Sequence, residues 1–525
     1  MFGCPSPTRT LWSAIDVLGG SSVDPGEYRP SEGPLAHFAV RSGHEEIERY
    51  WVDAPFAFVA ITHDPAENEH RYHAVTPDLD GFEARLLETL IGDVRTPLLY
   101  REDRTEDPEL VLREELSNQL ETYGIGVDAR SFYSLFYYLR RAFRGYGRID
   151  PLMCDPHVED VSCDGYDVPL FVYHDEYTDV ETNVSFSEAE LDSFVVRLAQ
   201  QSGRHVSVGD PITQTTLPDG SRAELALGRE VTPRGSAYTI RKYADEPMTP
   251  IDLIEYGTFS PASMAYLWLA IEHNKSLIFA GGTASGKTTA MNAVSMFIPP
   301  RAKVVSIEDT RELTLQHENW LSNVTREGSG DGASVTMYDL LRSALRHRPE
   351  YIVVGEVRGK EAITLFQAMN TGHTTYSTMH ADSVRTVINR LENEPIDVPR
   401  AMVQSLDVLC VQTLTRLGDE RVRRNETIAE IDGIDSRTGD LDYSRAFRWR
   451  PETDEFERSE GRVTESIRES EGWSDAELAA ELDRRARFLE TLLAEESVDF
   501  RRFSALVDAY YADPGATVER TGAER

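Results

Sequence analysis

Apolar positions recur along this chain with two different periods, and the change of period marks its elements. The runs FAFVAIT (56–62) and RYHAVTP (71–77) flank the polar stretch DPAENEH and predict a hairpin. Phe82, Leu86, Leu87, Leu90 and Ile91 then recur at helical spacing. A second helical stretch at 129–144 is rich in aromatics, with Phe132, Tyr133, Phe136, Tyr137 and Tyr138, and reads as a packed helix. LFVYH (170–174) is a short apolar run. Ser187 with Glu190 forms a capping-box pattern ahead of Leu191, Phe194, Val195 and Leu198. LPDGSR (217–222) carries a turn between two strand-like runs.

From 250 to 415 the pattern becomes helices alternating with the apolar runs SLIFA (276–280), VVSI (304–307), YIVVG (351–355) and TTYST (374–378). That alternation predicts a mainly parallel sheet with helices on both faces. The last stretch is charged and partly helical, with a capping box at Ser474 and Glu477 before Leu478, Leu482, Leu489 and Leu493. Residues 21–36 read as a loose entry segment, and DEPMTPIDL (245–253) as a hinge. The expected domains are a helical and α+β region over 1–145, a small α+β domain over 146–245, an α/β core over 246–415 and a charged helical region over 416–525.

Charge narrows the field of partners. Asp and Glu number 90 against 54 Lys and Arg, a net charge of -36. Only five of those 54 are lysines (Lys242, Lys275, Lys287, Lys303 and Lys360), and the remaining 49 are arginines. Such a chain repels itself in dilute buffer, and molar salt, with a Debye length of about 3 Å, screens most of that repulsion. The acid excess with so little lysine resembles proteins of salt-loving archaea. A nucleic-acid partner is not expected, because phosphate contacts need clustered Lys and Arg. No run of about 18 apolar residues predicts a membrane span, and the first residues lack a secretory pattern. Cys4, Cys154, Cys163 and Cys410 show no CxxC spacing, which disfavours a four-cysteine zinc site.

GGTASGKTT (281–289) contains the GxxxxGK[ST] pattern between an apolar strand and a helical segment. Its residues are Gly281, Gly282, Thr283, Ala284, Ser285, Gly286, Lys287, Thr288 and Thr289. Backbone N–H groups of such a loop, and the positive end of the helix after it, wrap phosphate oxygens. Lys287 reaches the β- and γ-phosphates of ATP, and the Thr288 hydroxyl ligates Mg²⁺. VVSIEDTREL (304–313) sets Glu308 and Asp309 at a strand end, where a carboxylate orients a water or holds the metal. YIVVGEVRG (351–359) places Glu356, followed by Arg358, where a strand meets the metal shell, so Glu356 serves the metal, the water, or both. TGHTTYSTMHA (371–381) adds His373 and His380, read as sensors of the γ-phosphate or of a neighbouring subunit.

Taken in order, these four segments resemble the Walker A loop, acidic box, Walker B strand and histidine box of the type II/IV secretion and type IV filament motor ATPases. LPDGSRAEL…GSAYTIRKY (217–243) resembles that family's N-terminal domain. YWVDAPFAFVAI (50–61) and DPHVEDVSCDG (155–165) resemble its archaeal branch, which includes archaellum and archaeal pilus motors. The resemblance covers about 45–515, without the tetracysteine insertion of many bacterial members. It implies a RecA-like P-loop motor domain preceded by a small PAS-like α+β domain and a further N-terminal region. It also implies ATP and Mg²⁺ as ligands, a homo-hexamer, and a polytopic membrane platform protein as partner at the cytoplasmic face of the membrane. Glu308, Glu356 and His380 take the catalytic positions of the boxes, with Thr288 and Glu356 toward the metal. Arg222 and Arg241 fall where the family's N-terminal domain supplies arginines to phosphate. Arg346 and Arg348 either act similarly or pair with acids. A competing reading is a nucleic-acid-translocating ATPase, a helicase or packaging motor, which the net charge disfavours. A third is a nucleotide-gated scaffold, disfavoured by the intact Lys287, Thr288, Glu308 and Glu356.

Overall fold

A computed structural model describes residues 35–100, 108–243, 247–326, 334–418, 420–495 and 498–522. Most of the entry segment expected at 21–36, and the start of the hinge expected at 245–253, lie outside the described residues. The chain divides into two compact units, Met1–Tyr243 and Ala244–Arg525.

The first unit carries a nine-stranded sheet. Its strands are β1 (Glu45–Asp53), β2 (Ala57–Asp64), β3 (Glu69–Val75), β4 (Val158–Cys163), β5 (Phe171–His174), β6 (Thr178–Thr182), β7 (Ile212–Thr216), β8 (Arg222–Ala226) and β9 (Ala237–Arg241). They lie in the order β1-β2-β3-β6-β5-β4-β9-β8-β7. The hairpin read from 56–77 is β2 paired antiparallel with β3. β3 joins β6 in parallel through Arg71 and Tyr72, so one sheet runs through both regions expected on either side of residue 145. Alternation decides the faces of the far end. In β8 and β9 Ala223, Leu225, Tyr238 and Ile240 are buried, while Arg222, Glu224 and Arg241 stand on the other face. The helix Glu188–Gln201, held at its start by the Ser187–Glu190 capping box, buries Leu191, Phe194, Val195 and Leu198 in the same core. The helices Gly81–Tyr100, Pro108–Tyr123 and Ala129–Phe143 build a separate core around Leu90, Leu116, Phe132 and Phe136. The aromatic helix therefore buries its rings in packing.

The second unit carries another nine-stranded sheet: β10 (Leu277–Gly281), β11 (Val304–Glu308), β12 (Trp320–Val324), β13 (Tyr351–Val354), β14 (Thr374–His380), β15 (Val408–Leu417), β16 (Glu420–Ile434), β17 (Leu441–Arg450) and β18 (Glu455–Arg458). The order is β12-β11-β13-β14-β10-β15-β16-β17-β18. The six strands from β12 to β15 are parallel to their neighbours. Successive residues of β10 feed opposite cores, Leu277 and Phe279 into one and Ile278 and Ala280 into the other. That is why these strands read as unbroken apolar runs.

The expectation of a helical region beyond 416 holds only in part. β16, β17 and β18 continue the sheet as an antiparallel meander before the helices Arg462–Glu471, Asp475–Leu493, Phe500–Ala512 and Pro514–Thr521. In β17 the buried Phe447 and Trp449 alternate with Arg448 and Arg450, which hides the strand inside a charged stretch. No helix among the described residues is long and apolar enough to cross a membrane.

Candidate nucleotide site

β10 ends at Gly281, and after a short loop the helix Lys287–Ser295 begins. A Cβ on Gly281 would lie 2.3 Å from Ser285 Oγ and 2.5 Å from the Gln412 carbonyl oxygen, so no other residue fits between loop and β15. Gly286 caps the helix at φ 84°, a left-handed conformation that glycine adopts at no steric cost. Lys287 is nearly buried, and its Nζ donates to the Gly282 carbonyl at 2.6 Å. Ser285 Oγ donates to the same carbonyl at 2.9 Å. The lysine thus curls over its own loop, close to where a phosphate would sit.

Because the strands are parallel, their C-terminal ends share one edge, the edge at which open α/β sheets bind ligands. Gly281 pairs in register with His380 at the end of β14. β11 ends at Glu308, and β13 runs out into Gly355 and Glu356. Thr378 Oγ1 donates to the Gly355 carbonyl at 2.7 Å, and Val357 N to the Thr378 carbonyl at 3.0 Å. These bonds fix the turn that carries Glu356.

The two glutamates differ in state. Glu308 is 1% exposed; its Oε1 accepts from the N–H groups of Glu312 and Leu313, both at 2.9 Å. Its Oε2 has no hydrogen-bond partner among the described residues. Burial pushes its carboxyl up to about 7, and the two N–H bonds only partly oppose this. Glu356 is less enclosed and sits between a guanidinium and an imidazole. Arg358 Nη2 donates to its Oε2 at 2.5 Å, and His380 Nε2 lies 3.4 Å from its Oε1. The His380 imidazole is held below its ordinary value by burial and by the Lys287 ammonium, with Glu356 pulling the other way.

The structure therefore brings together the loop Gly281–Thr289, Glu308, Glu356 and His380. His373 precedes β14, at the opposite end from His380, and its Nδ1 meets Thr371 Oγ1 at 3.2 Å. Asp309 accepts from Thr325 Oγ1 at 3.0 Å. Arg346 lies on an exposed turn of 3₁₀ helix, and Arg348 follows it at φ 52°. Arg222 and Arg241 belong to the first unit, as cross-strand partners on β8 and β9. Neither forms an ion pair among the described residues; burial raises the Asp160 carboxyl, and Arg241 nearby only partly opposes that rise.

Two residues of this edge escaped sequence reasoning. Arg423, on β16, donates from Nε to the Ala284 carbonyl at 3.0 Å and so braces the loop. Gln412, on β15, pairs in register with Gly281, is 2% exposed, and has neither amide atom hydrogen-bonded among the described residues. No motif flags them; only the strand order places β15 and β16 beside the loop. For a divalent cation, the Thr288 hydroxyl and the Glu356 carboxylate are hard oxygen donors, which is the chemistry Mg²⁺ requires.

A strand, glycine loop and helix of this form, with carboxylates at the neighbouring strand ends, define the class of phosphate-binding α/β proteins. Residues 174–494 match the family model described as type II/IV secretion system protein, and the chain belongs to that family. Residues 6–78 match a second model, described as PilB3-like, N-terminal. An uncharacterized protein of Methanocaldococcus jannaschii is 39% identical over 382 residues, covering 71% of this chain and 69% of that protein. The type IV secretion system protein PtlH of Bordetella pertussis is 32% identical over 279 residues, covering 46% of this chain and 82% of PtlH. Among solved structures, the Legionella pneumophila ATPase DotB is similar at 16% identity and a TM-score of 0.40, over 69% of this chain and 95% of that one.

Proposed function

We propose that this chain is an ATP-hydrolysing motor that powers a type IV pilus-like filament, an archaellum or a secretion machine. The observation that carries this reading is the meeting of Lys287, Glu308, Glu356 and His380 at one strand-end edge beside a glycine loop. The loop N–H groups cradle the phosphates, and Lys287 exchanges its bond to the Gly282 carbonyl for a β- or γ-phosphate oxygen. Thr288 and Glu356 would hold Mg²⁺, which would supply positive charge against the phosphates. Glu356, held by Arg358 and set beside His380, orients the attacking water. As that water bonds to the γ-phosphorus, the bond to the β-phosphate oxygen breaks and the water's proton passes to Glu308. A carboxylate near pKa 7 with a spare oxygen suits that transfer.

The same reading extends to the homo-hexamer, with Arg222 and Arg241 supplying positive charge over the γ-phosphate. It includes a polytopic membrane platform partner, a peripheral position at the cytoplasmic face, and a salt-rich, haloarchaeal interior matched to the net charge. Steady-state hydrolysis and nucleotide binding in molar KCl test it. Lys287→Ala loses turnover and weakens binding, while Glu356→Gln binds ATP and turns over far more slowly. Wild-type turnover in Lys287→Ala sinks the assignment, and a Glu356→Gln protein unable to bind ATP contradicts the role given to that carboxylate.

A further inference from the structure

The first unit holds a cluster of ligating groups that the nucleotide chemistry does not use. His157 stands just before β4, and His174 and Asp175 stand at the end of β5. The strands pair antiparallel with Val158 opposite His174, and Asp175 N donates to the His157 carbonyl at 2.9 Å. That register brings the three side chains to one place. His157 Nδ1 lies 3.0 Å from Asp175 Oδ2, and His174 Nδ1 lies 3.1 Å from Asp175 Oδ1. The two imidazoles stack at 5.4 Å and 17°. One ligand atom from each residue lies within 4.8 Å of the others.

The surroundings fix the tautomer of the buried histidine. His174 is 1% exposed, and its Nε2 meets Tyr50 Oη at 3.1 Å. The Tyr50 hydroxyl donates to Asp155 Oδ2 at 2.8 Å, so the Tyr50 oxygen is left to accept the Nε2 proton. Asp155 is itself held by the Tyr72 hydroxyl at 2.7 Å and by His157 N at 2.9 Å. Backbone N–H groups of Glu176 and Tyr177 donate to His174 Nδ1 at 3.2 and 3.4 Å, so that atom carries the lone pair, and an ion bound there replaces these two long bonds. A histidine whose far nitrogen is bound through tyrosine to a carboxylate, with its near nitrogen facing two other ligands, has the support a metal-ligating imidazole receives.

We propose that His157, His174 and Asp175 bind one Zn²⁺-class transition-metal ion that staples the ends of β4 and β5. Two imidazole nitrogens and one carboxylate oxygen suit Zn²⁺, whereas Mg²⁺ and Ca²⁺ take oxygen donors. Metal–ligand bonds of about 2.0–2.2 Å in a tetrahedron place ligand atoms about 3.4 Å apart. The two histidines now face different oxygens of Asp175, and one atom from each residue lies within 4.8 Å of the others, so binding draws the ligand atoms together by up to about 1.4 Å through side-chain rotation of the part-exposed His157 and Asp175. His157 and Asp175 are both nearly half exposed, which leaves the fourth position to water. His157 gives up the proton it shares with Asp175 when the ion binds, so binding releases protons and weakens in acid.

The test uses the full chain in molar KCl after treatment with a chelator, titrated with Zn²⁺ alone and, for its spectrum, Co²⁺ alone. One equivalent binds, and Co²⁺ develops the strong visible bands of a tetrahedral site. His157→Ala removes a part-exposed ligand and lowers affinity at least tenfold with unchanged circular dichroism. Tyr50→Phe lowers it by about 10–100-fold, as loss of an outer-shell partner does. His380→Ala, at the nucleotide edge, leaves the Co²⁺ bands in place. Wild type that binds no Zn²⁺, with His157 titrating only as an ion pair to Asp175, overturns the proposal. Stoichiometry and bands that survive in His157→Ala overturn it as well.

Discussion

Glu308 and Glu356 are the same residue type at the ends of neighbouring strands, and their environments differ. Glu356 is paired with Arg358 and lies beside His380, while Glu308 is buried and pushed up to about 7 from 4.5. A raised carboxyl binds its proton more tightly in the folded state than in the unfolded chain. Its contribution to stability is therefore full below pH 4.5 and is lost as the pH rises toward 7. The cost of holding Glu308 ionised above that window is about 3 kcal/mol, at roughly 1.4 kcal/mol for each pKa step. Gln keeps the acceptor for Glu312 and Leu313 N–H without the charge. Thermal melts should place Glu308→Gln above wild type on the alkaline side of this window, the gap closing as the pH falls through it. A constant gap at all pH values would remove the buried-ionisation argument.

At the scale of elements, two-residue periodicity does for the first unit what parallel alignment does for the second. It sets Arg222 and Arg241 side by side on one face of β8 and β9, opposite the buried Ala223 and Ile240. A guanidinium brought over a γ-phosphate stabilises charge that develops in transfer, an effect of about 10³–10⁵ in NTPases that use one. Neither arginine holds the sheet together through an ion pair among the described residues, so truncation spares the fold. Arg241→Ala should keep its melting midpoint and bind ATP, yet lose most turnover and ATP-promoted assembly. Arg222→Ala should do the same less severely. Hydrolysis rates with light scattering, with and without ATP, decide it; full activity and normal assembly in both variants would reduce these arginines to surface residues. The elements themselves differed in legibility. β10, β11, β13 and β14 stood out because burial on both faces demands unbroken apolar runs. β16 to β18 did not, because a meander at the sheet edge alternates charged and apolar residues within a stretch rich in Arg and Glu.

For the molecule as a whole, the net charge of -36 is the dominant long-range term. Two of the five lysines sit where their small cationic head is enclosed. Lys287 lies at the loop, and Lys242 donates to the carbonyls of Leu152 and Asp155 while burial draws it down to about 8. The acids stay largely at the surface, so their mutual repulsion is screened by salt. Melts from about 0.1 to 3 M KCl, across Debye lengths from about 10 Å to below 3 Å, should show a rising midpoint. A flat or falling curve would contradict adaptation to a salt-rich interior.

The order of motifs from Gly281 to His380 was legible without coordinates, because glycine, lysine and strand-end carboxylates are local requirements of phosphate chemistry. Charge class and the buried strands β10, β11, β13 and β14 were legible for the same reason: composition and period are local properties. Tertiary structure alone decided which carboxylate is buried, since the state of Glu308 depends on its enclosure and on the backbone of Glu312 and Leu313. It alone separated His380 from His373, by setting them at opposite ends of β14. It alone brought Arg423 and Gln412 to the loop and His157 to His174 and Asp175. Such contacts join residues far apart in the chain through strand order and register, and neither is written in the period of any one segment.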